Sequence, residues 1–451
     1  MTGAKAGGGT VQPLANWGNH PRIESEVLSF SSDAEAAALL RGGVPLIPRG
    51  LGRCYGDSAL ARRVLATRGR RGLLELDTET GTVACEAGMS LGELLEVVVP
   101  EGWFLPVVPG TKHVTVGGAI ASDIHGKNHH QVGTFSRHVL WMDLLMPDGS
   151  VRRLTSSSDP ELFAATAGGM GLTGVILRAS LALRPIRTAY LRTETLVAKD
   201  LNEVMGLFRD STAWTYSVAW IDCQAKGRNL GRSILFRGEH AEPGEVEWRR
   251  RASPLATRPK HSVRVPFFMP SWTLNSLSIR AFNAAYYRKQ AWARRESVVD
   301  YQGFFFPLDG VKDWNRIYGH RGFLQYQFVL PLAESQEGVA VVLERIAASG
   351  LGSFLAVLKL MGVGTEMLSF PLEGYTLALD FPVSPRALSL LEELDLLVLR
   401  FGGRLYLTKD ARMNRTMLDE GYPDAGRFRA MRQEVDPNGV LSSLQSQRLE
   451  L

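Results

Sequence analysis

Three glycine-rich segments in the first 175 residues constrain this 451-residue chain more than anything else in it: Pro48-Arg-Gly-Leu-Gly-Arg-Cys-Tyr-Gly-Asp57, Pro109-Gly-Thr through Gly117-Gly118, and Gly168-Gly-Met-Gly171-Leu-Thr-Gly174. Glycine lets successive backbone N–H groups turn toward one anion, so loops of this kind can form a nest for a phosphate. Residues 169–174 match G-x-G-x-x-G, the dinucleotide fingerprint. That fingerprint needs a strand before it and a helix after it. Here the order is reversed. Ser158-Asp-Pro-Glu161 opens a helix through "LFAATA", and the β-rich "VILRASLAL" follows the glycines. A Rossmann domain is therefore excluded.

The surrounding pattern is α+β. Ser32-Asp-Ala-Glu35 reads as a capping box opening a helix that ends at Gly42-Gly43, and Ser90-Leu-Gly-Glu93 caps a second that stops at Pro100. "VPLIP", "LLELD" and "TVACEA" read as strands, and "HVLWMDLLMPDGSVRRLT" as a hairpin turning at Pro147-Asp148-Gly149. After Pro185 the composition shifts. "FLQYQFVL" and "YTLALDFP" read as strands, and "PRALSLLEELDLLVLRFGG" as a helix, so the middle region is expected to be built on an antiparallel sheet. The expected organisation is residues 1–187, 188–401, and a C-terminal segment 402–451 that returns to the first unit; the length fits two or three domains.

With 45% hydrophobic and 22% charged residues the chain reads as globular. The leader "TGAKAGGGT" reads as flexible, and no apolar run approaches the roughly 18 residues of a spanning helix. The expected location is cytoplasmic or membrane-associated without a transmembrane segment, on an unassigned side. Cys54, Cys85 and Cys223 lie far apart with no CxxC spacing, so neither a disulfide framework nor a cysteine zinc site is expected. His125, His129 and His130 include an i, i+4 pair, but Gly126 and Asn128 oppose a helix there and no H-E-x-x-H glutamate is present. No metal site is expected. From Trp248 to Arg295 there are eleven Lys or Arg residues, no acidic residue, and the aromatics Trp248, Phe267, Phe268, Trp272, Phe282, Tyr286, Tyr287 and Trp292. That combination suits an anionic lipid surface, with Arg249, Arg250 and Arg251 as contacts, or a solvated face; no nucleic-acid motif accompanies it, and no nucleic acid is expected as a partner.

The glycine segments, with "DIHGKNHH" at 123–130, "WNRIYGHRGFLQYQFV", "LSFP" and "GGRLYLTKDAR", resemble the vanillyl-alcohol-oxidase/PCMH superfamily of flavoproteins, whose R-G-x-G loop grips the FAD pyrophosphate and whose P-G-T…V-G-G stretch passes the isoalloxazine. From about Pro21 onward the chain resembles the branch that oxidises the 2′-hydroxyl of a polyprenylphosphoryl ribofuranose, the first half of epimerisation to the arabinose donor of cell-wall arabinan. The resemblance implies a two-domain PCMH-type fold with an antiparallel-sheet substrate domain, a polyprenylphosphoryl-ribose lipid substrate, a short-chain dehydrogenase partner that reduces the keto product, and a peripheral membrane location. It also implies FAD held non-covalently, because Arg53 stands where covalent members carry the linking histidine and no cysteine stands near Lys112.

By the same resemblance, Arg49, Gly50, Leu51, Gly52, Arg53, Cys54, Tyr55, Gly56, Gly110, Thr115, Val116, Gly117, Gly118, Ser122, Asp123, Ile124, His125, Ile176 and Tyr406 would hold the cofactor. Lys409, His125, Gln327, Lys359 and Gln325 would be catalytic, with Lys127 beside the substrate. Ala378, Thr376, Met361, Phe305 and Val218 depart from the branch's pocket pattern of cysteine, asparagine, phenylalanine, tyrosine and serine, which leaves the exact lipid and sugar open. An alditol or free-sugar oxidase, or a flavin- and lipid-binding protein without turnover, are the alternatives.

Overall fold

The computed structural model describes residues 9–257, 262–270, 273–292, 294–365 and 367–451. Most of the expected leader, and Arg258, Lys260 and Trp272 of the basic aromatic stretch, lie outside the described residues. Thr10, at the leader's end, begins a strand, Thr10–Ala15, that pairs antiparallel with Arg22–Ser29. This strand was not foreseen.

Two sheets carry the glycine segments. In the first, Arg22–Ser29 and Ile47–Arg49 both run parallel to Arg63–Ala66. The helix Asp33–Arg41 that links the first two is capped by Ser32, whose Oγ accepts the Glu35 N–H, and Gly43 leaves it at φ 69°. The expected capping box closes one residue early, because the Glu35 carboxylate takes the N–H and hydroxyl of Ser31. The second sheet is antiparallel, with Val175–Ala182 at its centre between Thr82–Glu86 and Val139–Leu145. The hairpin at 147–149 forms as expected, with Gly149 at φ 84°.

The third sheet has eight strands, every neighbouring pair antiparallel, in the order Glu296–Asp300, Tyr190–Ala198, Ser233–His240, Tyr216–Ile221, Val357–Met361, Gly374–Pro382, Phe323–Pro331, Arg404–Leu405. Side chains alternate along each strand. One set (Leu235, Leu358, Leu377, Phe328) is buried in one core with the helices Leu201–Arg209, Ser335–Ser349 and Pro385–Arg400. The last of these helices begins as the sequence dictates, Ser384 capping and Pro385 at its first position, and buries Ala387, Leu390, Leu391, Leu394 and Val398 at helical spacing. The opposite set of side chains faces the glycine loops.

The chain after Gly402 first adds the edge strand Arg404–Leu405 to the large sheet and then crosses to the glycine sheets. There Thr408 O accepts the Tyr55 N–H at 2.9 Å, Leu46 bridges Leu441, and Arg448 pairs with Asp57 at 2.8 Å and Asp410 at 2.9 Å. A Cβ on Gly56 would lie 1.6 Å from Asp410 O, so only glycine permits this crossing. Among the described residues no helix is long and apolar enough to cross a membrane.

Candidate active site

A cavity of about 1250 Å³ opens between the glycine loops and the free face of the large sheet. One wall is backbone. After the strand Ile47–Arg49 the chain turns through Gly52 at φ 59°, and the N–H groups of Leu51, Gly52, Arg53 and Cys54 donate to no group among the described residues. All four residues are half-buried and line the cavity, so these donors are free to take a ligand there. They form a cradle that an anion completes. A Cβ on Gly50 would meet Thr115 Oγ1 at 2.3 Å, which shows how closely the second loop seats on the first. Thr115 is fixed in turn, its Oγ1 accepting the Gly118 N–H at 3.1 Å at the start of the helix Val116–Ala121. The donor set and the close-packed glycines fit a pyrophosphate, and the cavity extends well past it, as a dinucleotide flavin requires.

Arg49 and Arg53 serve this wall differently. The Arg49 guanidinium donates to Ala15 O and Ala59 O, each at 2.8 Å, and to Asn16 Oδ1, so it braces the loop. Arg53 lies 4.1 Å over the Trp17 ring and donates to His113 O.

The other wall is side chains. Gln325 and Gln327 on one strand, Ala378 on the next and Val357 and Lys359 on the third point into the cavity, and Lys127, His125, Tyr406 and Lys409 close over them. Three lysines thus share one chamber. Burial lowers Lys409 and Lys127 to about 7 and Lys359 to about 8, and Lys359 further lowers the other two. Asp380, raised by burial to about 7, accepts from Gln325 at 2.7 Å and Tyr318 at 3.2 Å and pulls Lys409 back toward its charged form. Lys409 Nζ sits 3.7 Å over the Tyr55 ring, and Lys127 Nζ donates to Phe304 O and lies 4.4 Å over the Phe304 ring. A chamber of cations with so little acidic compensation is built for an anion.

Hydrogen bonds fix the orientation of Gln327. The single Thr376 hydroxyl proton goes to Phe328 O at 2.8 Å, so Thr376 Oγ1 accepts from Gln327 Nε2 at 3.2 Å. The second amide hydrogen then faces His125 Nε2 at 3.1 Å. His125 must accept there, which places its own proton on Nδ1, a buried atom with no partner among the described residues. Burial, then Lys359, His129 and Lys409, hold the imidazole well below its ordinary pKa and neutral. Gln327 keeps its carbonyl oxygen for the cavity.

Most of the expected site residues line this cavity: residues 49–55, Gly110, Thr115, Gly117, Gly118, Ser122, Ile124, His125, Ile176, Tyr406, and all the expected catalytic residues. Three of the expected cofactor residues do not. Gly56 is a packing glycine. Val116 is buried in the core beneath the helix it begins. Asp123, at φ 36°, is a clasp whose carboxylate takes Ser369 Oγ, Thr365 Oγ1 and Ser136 N–H. Of the departures, Val218, Phe305 and Ala378 line the cavity, whereas Thr376 and Met361 lie behind it. His129 and His130 serve structure: His129 Nδ1 accepts the Gly362 N–H, and His130 Nε2 faces Trp214 O. Sequence reasoning missed Asp380, Trp220 and Phe236, which no local motif marks.

Residues 23–155 match the family described as FAD binding domain. The chain is 39% identical over 453 residues to the decaprenylphosphoryl-beta-D-ribose oxidase of Mycolicibacterium smegmatis, covering 98% of each chain. It is 35% identical to an uncharacterized protein in the mprA 5′ region of Streptomyces coelicolor, over 80% of this chain and all of that one. A stretch of 115 residues, 26% of this chain and 22% of the other, is 31% identical to the delta(24)-sterol reductase of Rattus norvegicus.

Proposed function

The chain belongs to the decaprenylphosphoryl-β-D-ribose oxidase family of PCMH-type FAD-dependent oxidoreductases, and from that premise we propose that it oxidises the 2′-hydroxyl of a polyprenylphosphoryl-β-D-ribofuranose to the 2′-keto sugar. The observation that carries this reading is the chamber of Lys127, Lys359 and Lys409 facing the glycine cradle across one cavity. FAD, when bound, supplies the hydride acceptor. Leu51, Gly52, Arg53 and Cys54 would hold its pyrophosphate through backbone N–H groups, and Arg53 in place of a linking histidine leaves it unattached. Lys127 and Lys359 offset the charge of the sugar phosphate. The Gln327 carbonyl accepts the hydrogen bond of the neighbouring sugar hydroxyl and so orients the ring, which leaves the proton of the reacting hydroxyl facing Lys409. Lys409, held near neutrality, receives that proton, since His125 Nε2 is already engaged.

The division of labour at 1–187, 188–401 and 402–451 follows the same reading: cofactor unit, substrate unit, and a returning segment that brings Lys409 to their junction. A short-chain dehydrogenase is the partner that reduces the keto product. Exposed Trp248, Phe267, Leu277 and Trp292 beside the arginines of the same stretch suit a peripheral membrane location. The cations there are not equivalent. Arg251 is tied to Val246 O and Gly244 O and Arg250 lies over the Tyr190 ring, so Arg249 is the freer contact.

The test is the visible spectrum of the holoenzyme without oxygen. Addition of a polyprenylphosphoryl ribose should bleach the flavin band. The 2′-deoxy compound should bind without bleaching it. A flavin that stays oxidised with the ribosyl lipid, or is bleached as fast by a free pentose, would sink the reading. Denaturing electrophoresis should leave no flavin fluorescence on the polypeptide.

A further inference from the structure

The chamber around Gln327 is one end of a longer groove. The register carries the cavity face from Gln327 to Ala378, from Ala378 to Val357, and from Val357 to Trp220. On the strand of Trp220, Val218 continues the same face; it pairs with Phe236, and Phe236 with Thr195. One step further, Thr193 pairs with Ser297 on the edge strand. All of these residues line the cavity. Seven strands make six spacings, so this floor is about 28 Å long.

Its chemistry is graded. The Gln327 end is polar and cationic, the stretch from Ala378 to Phe236 is apolar, and the far end carries the small hydroxyls of Thr195, Thr193 and Ser297 with Val299, Gln290 and Arg294 beside them. Val218, Phe236 and Val357 are each half-buried although they face inward, because the groove above them holds no protein. One wall is the helix Ser276–Ala291. It is held by Asn283, which donates to Asp222 at 2.8 Å, by Tyr287, which donates to Ala198 O at 3.2 Å, and by buried Ile279. Phe282, Tyr286 and Gln290, at four-residue spacing, form its cavity-facing stripe, and Tyr286 packs on Trp220 at 4.8 Å. Among the described residues none of the three glycine segments hydrogen-bonds to the strands of this stretch, which sets the groove apart from the cofactor cradle.

Resting on the function proposed above, we infer that this groove binds the apolar isoprenoid chain of the substrate, laid across the large sheet from the phosphate toward the edge strand Glu296–Asp300. The groove is continuous with the anion chamber, apolar where a chain leaving a phosphate would run, and open at the end away from it. Docking of the lipid on the protein surface alone would leave the floor without an occupant. The chain therefore passes inside the helix Ser276–Ala291.

The experiment is calorimetric titration of the FAD-loaded enzyme with polyprenyl monophosphates of graded length that carry no sugar. The wild type should bind at least about fivefold tighter per added prenyl unit until the groove is full, then level off. Phe236→Glu, which places a charge on the apolar floor, should abolish the gain with length while leaving the one-prenyl compound bound as before. Thr195→Trp, which fills the far end, should bring the plateau to a shorter chain. Retained one-prenyl binding certifies that each variant is folded. Length dependence that survives both substitutions would overturn the inference, as would none in the wild type. Oxidation is not needed for this readout: graded binding without flavin bleaching would fail the proposed reaction and keep the groove, and bleaching without graded binding would do the reverse.

Discussion

The two walls of the cavity are made of different material. The cofactor wall is backbone, with glycines at positions where a side chain would collide and N–H groups that have no acceptor among the described residues. The substrate wall is side chains, drawn from strands far apart in the chain and aligned by register, with Lys127, His125, Tyr406, Lys409 and Phe305 closing over them from outside the sheet. A backbone wall binds what every member of a superfamily shares. A side-chain wall can be rewritten residue by residue without disturbing the sheet, and Ala378, Val218 and Phe305, three of the departures, fall on the wall that can change.

Lys409 tests the substrate wall with the largest expected effect. Lys409→Met should slow flavin reduction by substrate roughly 10²–10⁴-fold while FAD stays bound, because the cradle does not use this side chain. The wild-type rate of reduction should climb as the pH is raised through about 7, where the amine loses its proton, and the variant should lose that limb. Stability carries the matching sign. Between about 7 and the free-lysine value the unfolded chain binds the proton that the folded chain gives up, so burial of Lys409 costs stability that returns as pH rises. The variant should therefore melt higher than wild type at pH 7. A variant that reduces its flavin normally would leave Lys409 a bystander.

The cofactor wall should respond in the opposite way. Gly50→Val drives a side chain into Thr115 Oγ1, and overpacking of this kind costs about 1–3 kcal/mol, which taken wholly from the cradle is roughly five- to 150-fold in FAD affinity. Activity at saturating FAD should recover. If added FAD restores nothing, the loop does more than hold the cofactor.

That contrast also explains what was legible. The cradle lies in contiguous segments whose glycines announce themselves, and the caps at Ser32 and Ser90 and the turn at 147–149 follow from local chemistry. Gly56 and Asp123 do not line the cavity, and sequence could not separate them from residues that do: a glycine demanded by Asp410 looks the same as one demanded by a phosphate, and a buried clasp looks the same as a ligand. Asp380, Trp220 and Phe236 left no trace, since their roles depend on the register of an eight-stranded sheet. The edge strand Arg404–Leu405 was invisible for the same reason: two residues carry no period.

A smaller effect sharpens the difference between touching the substrate and holding a residue that does. Thr376 lies behind the cavity, and its Oγ1 sets which way the Gln327 amide faces. Thr376→Val should cut turnover about tenfold, in line with one lost hydrogen bond of roughly 1–1.5 kcal/mol, with little change in KM. Thr376→Ser should restore it. The nitrogen-15 spectrum of His125 should report Nδ1–H in the wild type and in the serine variant, and a mixture of tautomers in the valine variant. An unchanged His125 spectrum in Thr376→Val would show that something else orients Gln327.

The smallest effect belongs to neither wall. Trp292 is 91% exposed at the end of the helix Ser276–Ala291, whose cavity stripe walls the groove. If that end dips into a lipid surface, removal of one aromatic ring from the interface costs about 1 kcal/mol, roughly a fivefold loss in partition to anionic vesicles. Trp292→Ser should show that loss and raise KM for a long-chain substrate presented in vesicles. The same substrate in detergent micelles, or a one-prenyl analogue in water, should be turned over as before, because Trp292 lies outside the cavity and the groove floor is intact. Salt should weaken the vesicle binding that remains, since the neighbouring arginines act through water over a Debye length of about 8 Å at physiological ionic strength. An equal loss on the water-soluble analogue would place the helix end in the reaction itself, and unchanged vesicle binding would leave the exposed aromatics as a solvated face.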